Sequence, residues 1–256
     1  MTNDTPKAPR LDSTLSKGLR ILDMLTATQG GKSVTEISKE LELTKSNAFR
    51  LLQTLSTLGF VRQRENKQYV ATLKTWQIGR RVVENLNLRE AAATQMRMLS
   101  QETSDTVYLA VAEGLSVVYI DKVESQQPIR SWNPIGGAAP IHCVSTGKAI
   151  IAADYTFWRE RLRGNLTRYT DRTITNLAAL DADVARIQAC GYATDTGEFR
   201  ERVLGFGAAI RLPNGAPIGA IGISMPDVNL PANGEASYGE MVRRAAEEIM
   251  AQVAET

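Results

Sequence analysis

Apolar residues recur at helical spacing three times within the first sixty positions. The first run begins at Ser13 and ends near Thr28, just before two glycines. The third run follows Thr44, a residue type that caps helices, and stops at Gly59. Each run predicts an amphipathic helix. The positions expected to face the core are Leu15, Leu19, Ile21, Leu22 and Leu25 in the first helix, Val34, Ile37 and Leu41 in the second, and Ala48, Leu51, Leu52, Leu55 and Leu58 in the third.

After the third run, the spacing of apolar residues changes from helical to alternating. Residues 60–64 and 68–71 are typical of two strands around the polar turn 65–67. Two helices, a short turn, a third helix and a hairpin follow one another in a winged helix-turn-helix. We therefore predict this domain over residues 13–80, preceded by a mobile arm at 1–12. A generic three-helix bundle with a hairpin is the alternative.

The rest of the chain predicts a second domain that mixes helices and strands. Residues 81–103 favour a connecting helix, and residues 104–256 alternate between strand-like and helical segments. The predicted fold class is therefore α+β. The expected strands are 107–112, 117–123, 129–132, 192–195, 204–212 and 218–225, and the expected helices are 145–153, 177–190 and 235–254.

Composition excludes several classes of function. The 256 residues include two cysteines and one histidine, His142, which is too few for a structural zinc site or a disulfide framework. We expect no metal and no cofactor. No apolar run approaches the ~18–20 residues that span a bilayer, and the N-terminus has no apolar signal-peptide core. These features indicate a cytoplasmic protein without a membrane partner.

The charge is distributed unevenly between the two predicted domains. Residues 1–80 contain 13 lysines and arginines against 7 acidic residues, whereas residues 81–256 contain 17 against 21. A basic small domain joined to an acidic larger one is typical of a nucleic-acid-binding head on a separate body. A chance excess of surface lysines is the alternative.

The third helix and the hairpin carry the residues expected to contact double-stranded DNA. Asparagine, glutamine and arginine can bond base edges in the major groove, and an exposed Phe49 can contact a thymine methyl group. A capping Thr44 beside free backbone amides suits a phosphate, as do basic residues on the hairpin. For any single residue, a solvated surface position is the alternative. The predicted interface is Thr44, Lys45, Ser46, Asn47, Phe49, Arg50, Gln53, Arg62, Arg64 and Lys67.

Three segments resemble the IclR-type transcriptional regulators. They are LSKGLRIL at residues 15–22, PIHCVSTGKA at 140–149 and GYATDTGE at 191–198, in the order and spacing of that family. The resemblance runs from about Ser13 to the C-terminus. It implies a GAF/PAS-like effector-binding domain with an antiparallel sheet and flanking helices. It also implies a homodimer or tetramer that responds to a small molecule at an operator, as regulators of catabolic operons often do.

The same resemblance places an effector pocket around the second and third segments. The turn Ser145, Thr146, Gly147 opens a helix, and the free amides there favour an anion such as a small organic acid. The other matching positions are Asp195, Gly205, Gly222 and Ser224. Family members that sense very small keto acids carry cysteine and serine in place of the two glycines. The glycines therefore predict a larger pocket and a larger acid, unless they only relieve crowding between strands.

Two other function classes remain open at this point. A cytosolic enzyme acting on a small organic acid would need a catalytic set, but His142 and Cys143 are adjacent and point to opposite faces of an extended segment. A winged-helix module that binds proteins would not need the basic and amide residues of the third helix. A ligand-responsive DNA-binding regulator is therefore the leading hypothesis.

Overall fold

The computed structural model of the chain describes residues 13–78 and 88–254. The chain divides into two compact units between residues 85 and 86. The predicted arm at 1–12 and the first part of the predicted connector, 81–87, lie outside the described residues. The fold is α+β, as predicted.

The N-terminal unit has the predicted order of elements. Three helices, α1 (Ser13–Ala27), α2 (Val34–Glu40) and α3 (Lys45–Thr57), precede a hairpin of β1 (Val61–Gln63) and β2 (Tyr69–Ala71). Capping fixes where the helices begin. Ser33 and Glu36 form a reciprocal capping box on α2, and the Thr44 hydroxyl accepts a bond of 3.2 Å from the Asn47 N–H at the start of α3.

Three of the leucines expected in the core of this unit lie at the surface instead. Leu15 and Leu19 are 63% and 57% exposed, and Leu58 is 51% exposed. The core is built from Ile21, Leu22 and Leu25 of α1 with residues of α2, α3 and the hairpin. Only the C-terminal half of α1 therefore has the core contacts that the sequence pattern predicts for the whole helix.

The C-terminal unit is built around one antiparallel sheet. Its helices are α4 (Leu88–Thr103), α5 (Ser145–Ala153), α6 (Tyr155–Leu162), α7 (Leu177–Cys190) and α8 (Glu235–Ala254). Its strands are β3 (Thr106–Glu113), β4 (Ser116–Val123), β5 (Ala138–Pro140), β6 (Ala193–Thr196), β7 (Val203–Arg211) and β8 (Pro217–Pro226). The strand order is β5-β4-β3-β8-β7-β6.

The sheet lies between two helical layers. Gly205, Gly207 and Gly222 face α5, whereas Phe206 stacks on Tyr238 of α8 at a ring-centroid distance of 5.6 Å. This split follows from the alternation of side chains along a strand. The sheet thus presents a glycine-rich surface to the first turn of α5.

Two predictions for this unit were wrong. Residues 129–132 form no strand: this segment lies between Pro128 and Pro134, which cannot donate backbone hydrogen bonds. The strand at this edge is β5, paired with β4 in the register Ser116 with Pro140. Helix α6 was missed within a stretch read as polar, although Trp158 and Leu162 are four residues apart and both are buried.

Candidate functional site

Helix α3 separates an apolar face from a polar one. Ala48, Leu51 and Leu52 are buried in the core of the N-terminal unit. The predicted contact residues on the other face are exposed, namely Thr44, Lys45, Ser46, Phe49, Arg50 and Gln53. The side chains of Lys45 and Arg50 make no hydrogen bond or ion pair with the described residues, so both cations are open to an anionic partner.

Asn47 departs from the prediction that it reads a base. Its side chain is half-buried, and its Oδ1 atom is buried without a hydrogen-bond partner among the described residues. Bidentate contact with adenine requires both the oxygen and the nitrogen of the amide. In this conformation Asn47 presents only part of that edge.

The hairpin holds its three cations at the surface. The side chain of Arg64 donates a hydrogen bond of 3.1 Å to the Gly30 carbonyl, which ties the hairpin to the loop after α1. Arg62 and Lys67 make no side-chain contact of this kind with the described residues. Phe49, Gln53 and Arg62 line one open groove between α3 and the hairpin. Phe49 is 45% exposed there, within reach of a ligand in the groove.

The predicted effector residues meet in one cavity of the C-terminal unit. It is narrow, with a volume of about 30 Å³, and lies between the first turn of α5 and strands β3, β4 and β6 to β8. Six of the seven predicted residues line it. The lining is Tyr108, Tyr119, Ser131, Asn133, Val144, Ser145, Thr146, Asp195, Phe199, Arg200, Val203, Gly205, Gly222, Ile223 and Ser224.

Gly147 is the predicted pocket residue that does not line the cavity. A Cβ atom at this position would lie 2.1 Å from the Ile141 carbonyl oxygen. Gly147 therefore lets α5 begin close against the preceding segment, and its role is packing. The first turn of α5 has no side-chain cap, because its N-cap residue is Val144.

The glycines of the sheet do not enlarge the cavity, contrary to the larger pocket predicted. A Cβ atom on Gly205 would lie 2.7 Å from the Ser145 hydroxyl, and one on Gly222 would lie 2.7 Å from Thr146 Cγ2. The space next to both glycines is filled by α5. Relief of crowding, the alternative at the sequence level, is what the geometry supports.

Asp195 is the buried acid of the cavity. Its Oδ1 atom accepts hydrogen bonds from the backbone N–H groups of Gly197 and Glu198, at 3.0 and 2.7 Å. Burial raises the pKa of this carboxyl to about 7, although these bonds oppose the shift. Asp195 can therefore hold a proton near neutral pH and donate it to a ligand oxygen.

The second and third family-like segments are joined by a buried ion pair. Lys148 Nζ lies 2.5 Å from Glu198 Oε1 and 2.8 Å from Asp183 Oδ2, and it also donates to the Thr194 carbonyl at 2.8 Å. Lys148 and Glu198 are almost fully buried. The pair fixes α5 to the loop that positions Asp195, so these motif residues support the cavity without lining it.

Sequence reasoning missed the side chains contributed by distant segments. The rings of Tyr108 and Tyr119, in strands β3 and β4, are in tilted contact with centroids 4.7 Å apart. Ser131 and Asn133 come from the segment wrongly predicted as a strand, and Arg200 follows the third family-like segment. Alternation along β3 and β4 could have put the tyrosines on one face, but no local signal joins them to Asp195.

His142 and Cys143 do not form a nucleophile and base. His142 Nε2 lies 3.0 Å from the Thr167 carbonyl oxygen, and burial lowers the pKa of the imidazole. Cys143 is fully buried, which raises the pKa of its thiol to about 12. Within residues 13–78 and 88–254, no group of three His, Cys, Asp or Glu residues could hold a metal ion. No helix in those ranges is long and apolar enough to cross a bilayer.

The two units have the folds of a winged helix-turn-helix domain and of an α+β domain with a polar cavity, the class of domains found in ligand-responsive regulators. Residues 14–65 match the IclR helix-turn-helix domain, and residues 80–251 match the C-terminal domain of the bacterial transcriptional regulator IclR. The chain therefore belongs to the IclR family of DNA-binding transcriptional regulators. This confirms the family that the three sequence segments indicated.

Individual relatives support the assignment over nearly the whole chain. The HTH-type transcriptional regulator KdgR of Escherichia coli (strain K12) is 32% identical over 258 residues, which cover 98% of this chain and 96% of KdgR. The crystal structure of Thermotoga maritima IclR has a TM-score of 0.79 at 30% identity, covering 94% of this chain and 98% of that one. An IclR homologue from Microbacterium hydrocarbonoxydans, crystallised with 4-hydroxybenzoate, shares the fold at 22% identity, with a TM-score of 0.80 and coverage of 94% and 99%.

Proposed function

We propose that this protein represses or activates a catabolic operon in response to a small organic acid, and has no enzymatic activity of its own. The observation that carries the proposal is the narrow polar cavity that brings Ser145, Thr146 and Asp195 together. A cavity with a few convergent polar groups is typical of a small-molecule site. The KdgR and IclR relatives are consistent with a regulator, and the Microbacterium homologue binds an acid that also carries a hydroxyl group.

We infer that DNA is contacted through α3 and the hairpin. The exposed side chains of Arg50 and Gln53 are suited to base edges in the major groove, and those of Arg62 and Lys67 are suited to phosphates. Two copies of the chain would place two recognition helices on half-sites one helical turn, ~34 Å, apart. A homodimer, or a tetramer made of two such pairs, is therefore the assembly that we propose.

The effector is proposed to be a hydroxylated acid. The uncapped amides at the start of α5 favour its anionic group, because they carry the positive end of the helix dipole. Hydroxyl or amide groups of Tyr108, Ser131, Asn133 and Ser224 also line the cavity. This lining favours ligand hydroxyl and carbonyl groups over a purely apolar ring.

Calorimetry with paired ligands tests this proposal. Organic acids of three to seven carbons, with and without hydroxyl groups, are titrated against their uncharged amides. We expect hydroxylated acids to bind. We expect Thr146→Asp to bind them about tenfold or more weakly, because the carboxylate introduced at the start of α5 repels the carboxylate of the ligand. Arg202→Gln, on the surface outside the cavity, is the control. Binding of the uncharged amides alone would refute the anion site.

A further inference from the structure

The cavity is too small for the ligand that its lining suits. A volume of about 30 Å³ holds roughly two water molecules, whereas even a three-carbon hydroxy acid has about six heavy atoms. One wall must therefore move when a ligand enters. The question is which of the surrounding elements can do so.

Helix α5 packs tightly against the sheet. A Cβ atom on Gly207 would lie 2.7 Å from the carbonyl carbon of Ser145, so helix and sheet are already in contact. Next to α5 the strands are paired without a shift, with Asp195 opposite Gly205 and Gly205 opposite Ser224. Opening either wall would break packing or ladder hydrogen bonds.

Two walls have no helix or strand: the loop 197–202 and the segment 126–135, which we call the strap. The loop is held by the hydrogen bonds from the Gly197 and Glu198 N–H groups to Asp195 and by the buried Lys148–Glu198 pair, which leaves the strap. The strap connects β4 to β5. Its two ends are fixed: Ser125 donates to the Ser104 carbonyl at 2.6 Å, and the Gly136 N–H donates to the Tyr119 carbonyl at 2.8 Å. Between these ends, Ile129, Trp132 and Ile135 are each more than half exposed. Burial of large apolar side chains therefore contributes little to holding the strap down.

Polar contacts with cavity-lining side chains hold the middle of the strap. The Asn133 N–H donates to the Tyr108 hydroxyl at 2.9 Å, and the Ser224 hydroxyl donates to that of Ser131 at 2.8 Å. Arg200 Nη1 donates to the Trp132 carbonyl at 3.2 Å. A ligand that bonds Tyr108, Ser224 or Arg200 competes directly with the strap for the same groups.

We propose that the strap is a hinged cover of the effector cavity, and that Arg200 exchanges the Trp132 carbonyl for the carboxylate of the entering acid. This inference rests on the proposed effector function of the cavity. The exchange is favourable because a carboxylate carries a full negative charge and can accept two parallel guanidinium hydrogen bonds, whereas the Trp132 carbonyl is neutral and accepts one from Arg200. Arg200 thus holds the strap closed and also binds the ligand, so opening of the strap is specific for anions.

Limited trypsin cleavage after Arg130, an exposed residue inside the strap, measures its opening in the full chain without any ligand. Arg200→Met removes the bond to the Trp132 carbonyl, and Tyr108→Phe removes the hydroxyl that accepts from the Asn133 N–H and donates to the Ser131 carbonyl. Each should speed cleavage at Arg130 about fivefold, because cleavage follows the population of the open state. Arg202→Met, an exposed arginine two residues away that pairs with Asp227 at 3.3 Å, is the matched control and should leave the rate unchanged. If Arg130 is cleaved at the wild-type rate in both Arg200→Met and Tyr108→Phe, the strap is not a hinged cover of the cavity.

Sodium acetate, the smallest stable carboxylate probe, tests the exchange at Arg200. At equal ionic strength, acetate should speed cleavage at Arg130 at least twofold over sodium chloride in the wild type, and should have no effect in Arg200→Met. Equal rates in acetate and chloride in the wild type would overturn the exchange. Acids that bind in calorimetry without raising cleavage would refute the strap and leave the effector function standing. If no acid binds, the effector function fails whatever the strap does.

Discussion

At the scale of single residues, local rules were reliable and distant contacts were not. Thr44 caps α3 as predicted, and Gly59 has the positive φ of 77° expected after a helix end. Asp195 lies in the cavity as the resemblance implied. Arg200 was missed, because its partner Trp132 is distant in sequence and no local pattern joins them. The glycines at 205 and 222 were predicted to add volume because sequence alone does not show what packs against them.

The raised pKa of Asp195 predicts how stability depends on pH. The folded protein holds this proton up to about pH 7, whereas the unfolded chain releases it near pH 3.9. Between these values the native state binds more protons, so stability falls as pH rises. From pH 5 to pH 8, the free energy of unfolding of the wild type, measured in urea, should fall by roughly 2–3 kcal/mol relative to that of Asp195→Asn. The amide in this variant has no proton to release.

The control for this measurement is Asp181→Asn. Asp181 bonds Arg159, which lowers the pKa of its carboxyl to about 2, so it stays ionised from pH 5 to pH 8 in folded and unfolded chains alike. Its substitution should leave the slope of stability against pH unchanged in this range. The same slope in wild type and Asp195→Asn would show that Asp195 is ionised in the folded state.

At the scale of helices and strands, periodicity predicted most elements, and the elements that were missed are short ones. Long periodic segments such as α7 and α8 were found close to their observed bounds. The short edge strand β5 was missed because three residues next to two glycines carry no alternation. Helix α6 was missed because its two buried residues are surrounded by charged ones. Burial of Leu15 and Leu19 was predicted from spacing alone, which does not show how much of a helix packs against the core.

The buried Lys148 predicts a large effect on how α5 is held. Lys148→Met leaves the Glu198 carboxylate buried without its cation and leaves Asp183 paired with Arg186 alone. We therefore expect the free energy of unfolding in urea to fall by about 3–5 kcal/mol. Lys122→Met is the matched control, since Lys122 forms a more exposed pair with Glu124 at 3.6 Å and should cost less than about 1 kcal/mol. Similar losses in the two variants would show that the buried pair does not anchor α5.

At the scale of the whole molecule, the sequence predicted two functional units and the family. The basic N-terminal segment and the acidic remainder correspond to a helix-turn-helix unit and a cavity-bearing unit. Thermodynamically, an effector can change operator affinity only by its differential affinity for two states of the protein, typically ~1–3 kcal/mol.

DNA binding through α3 is the central claim, and anisotropy titration of a labelled operator duplex at several salt concentrations tests it most directly. Arg50→Ala should weaken operator binding by ~1–3 kcal/mol and relax specificity at one base pair. Lys67→Ala should weaken all sequences alike and reduce the salt slope by about 1 for each copy bound, with two or four copies per duplex. Arg202→Ala, in the C-terminal unit, is the control. If Arg50→Ala and Lys67→Ala both bind like the wild type at every salt concentration, α3 and the hairpin are not the DNA interface.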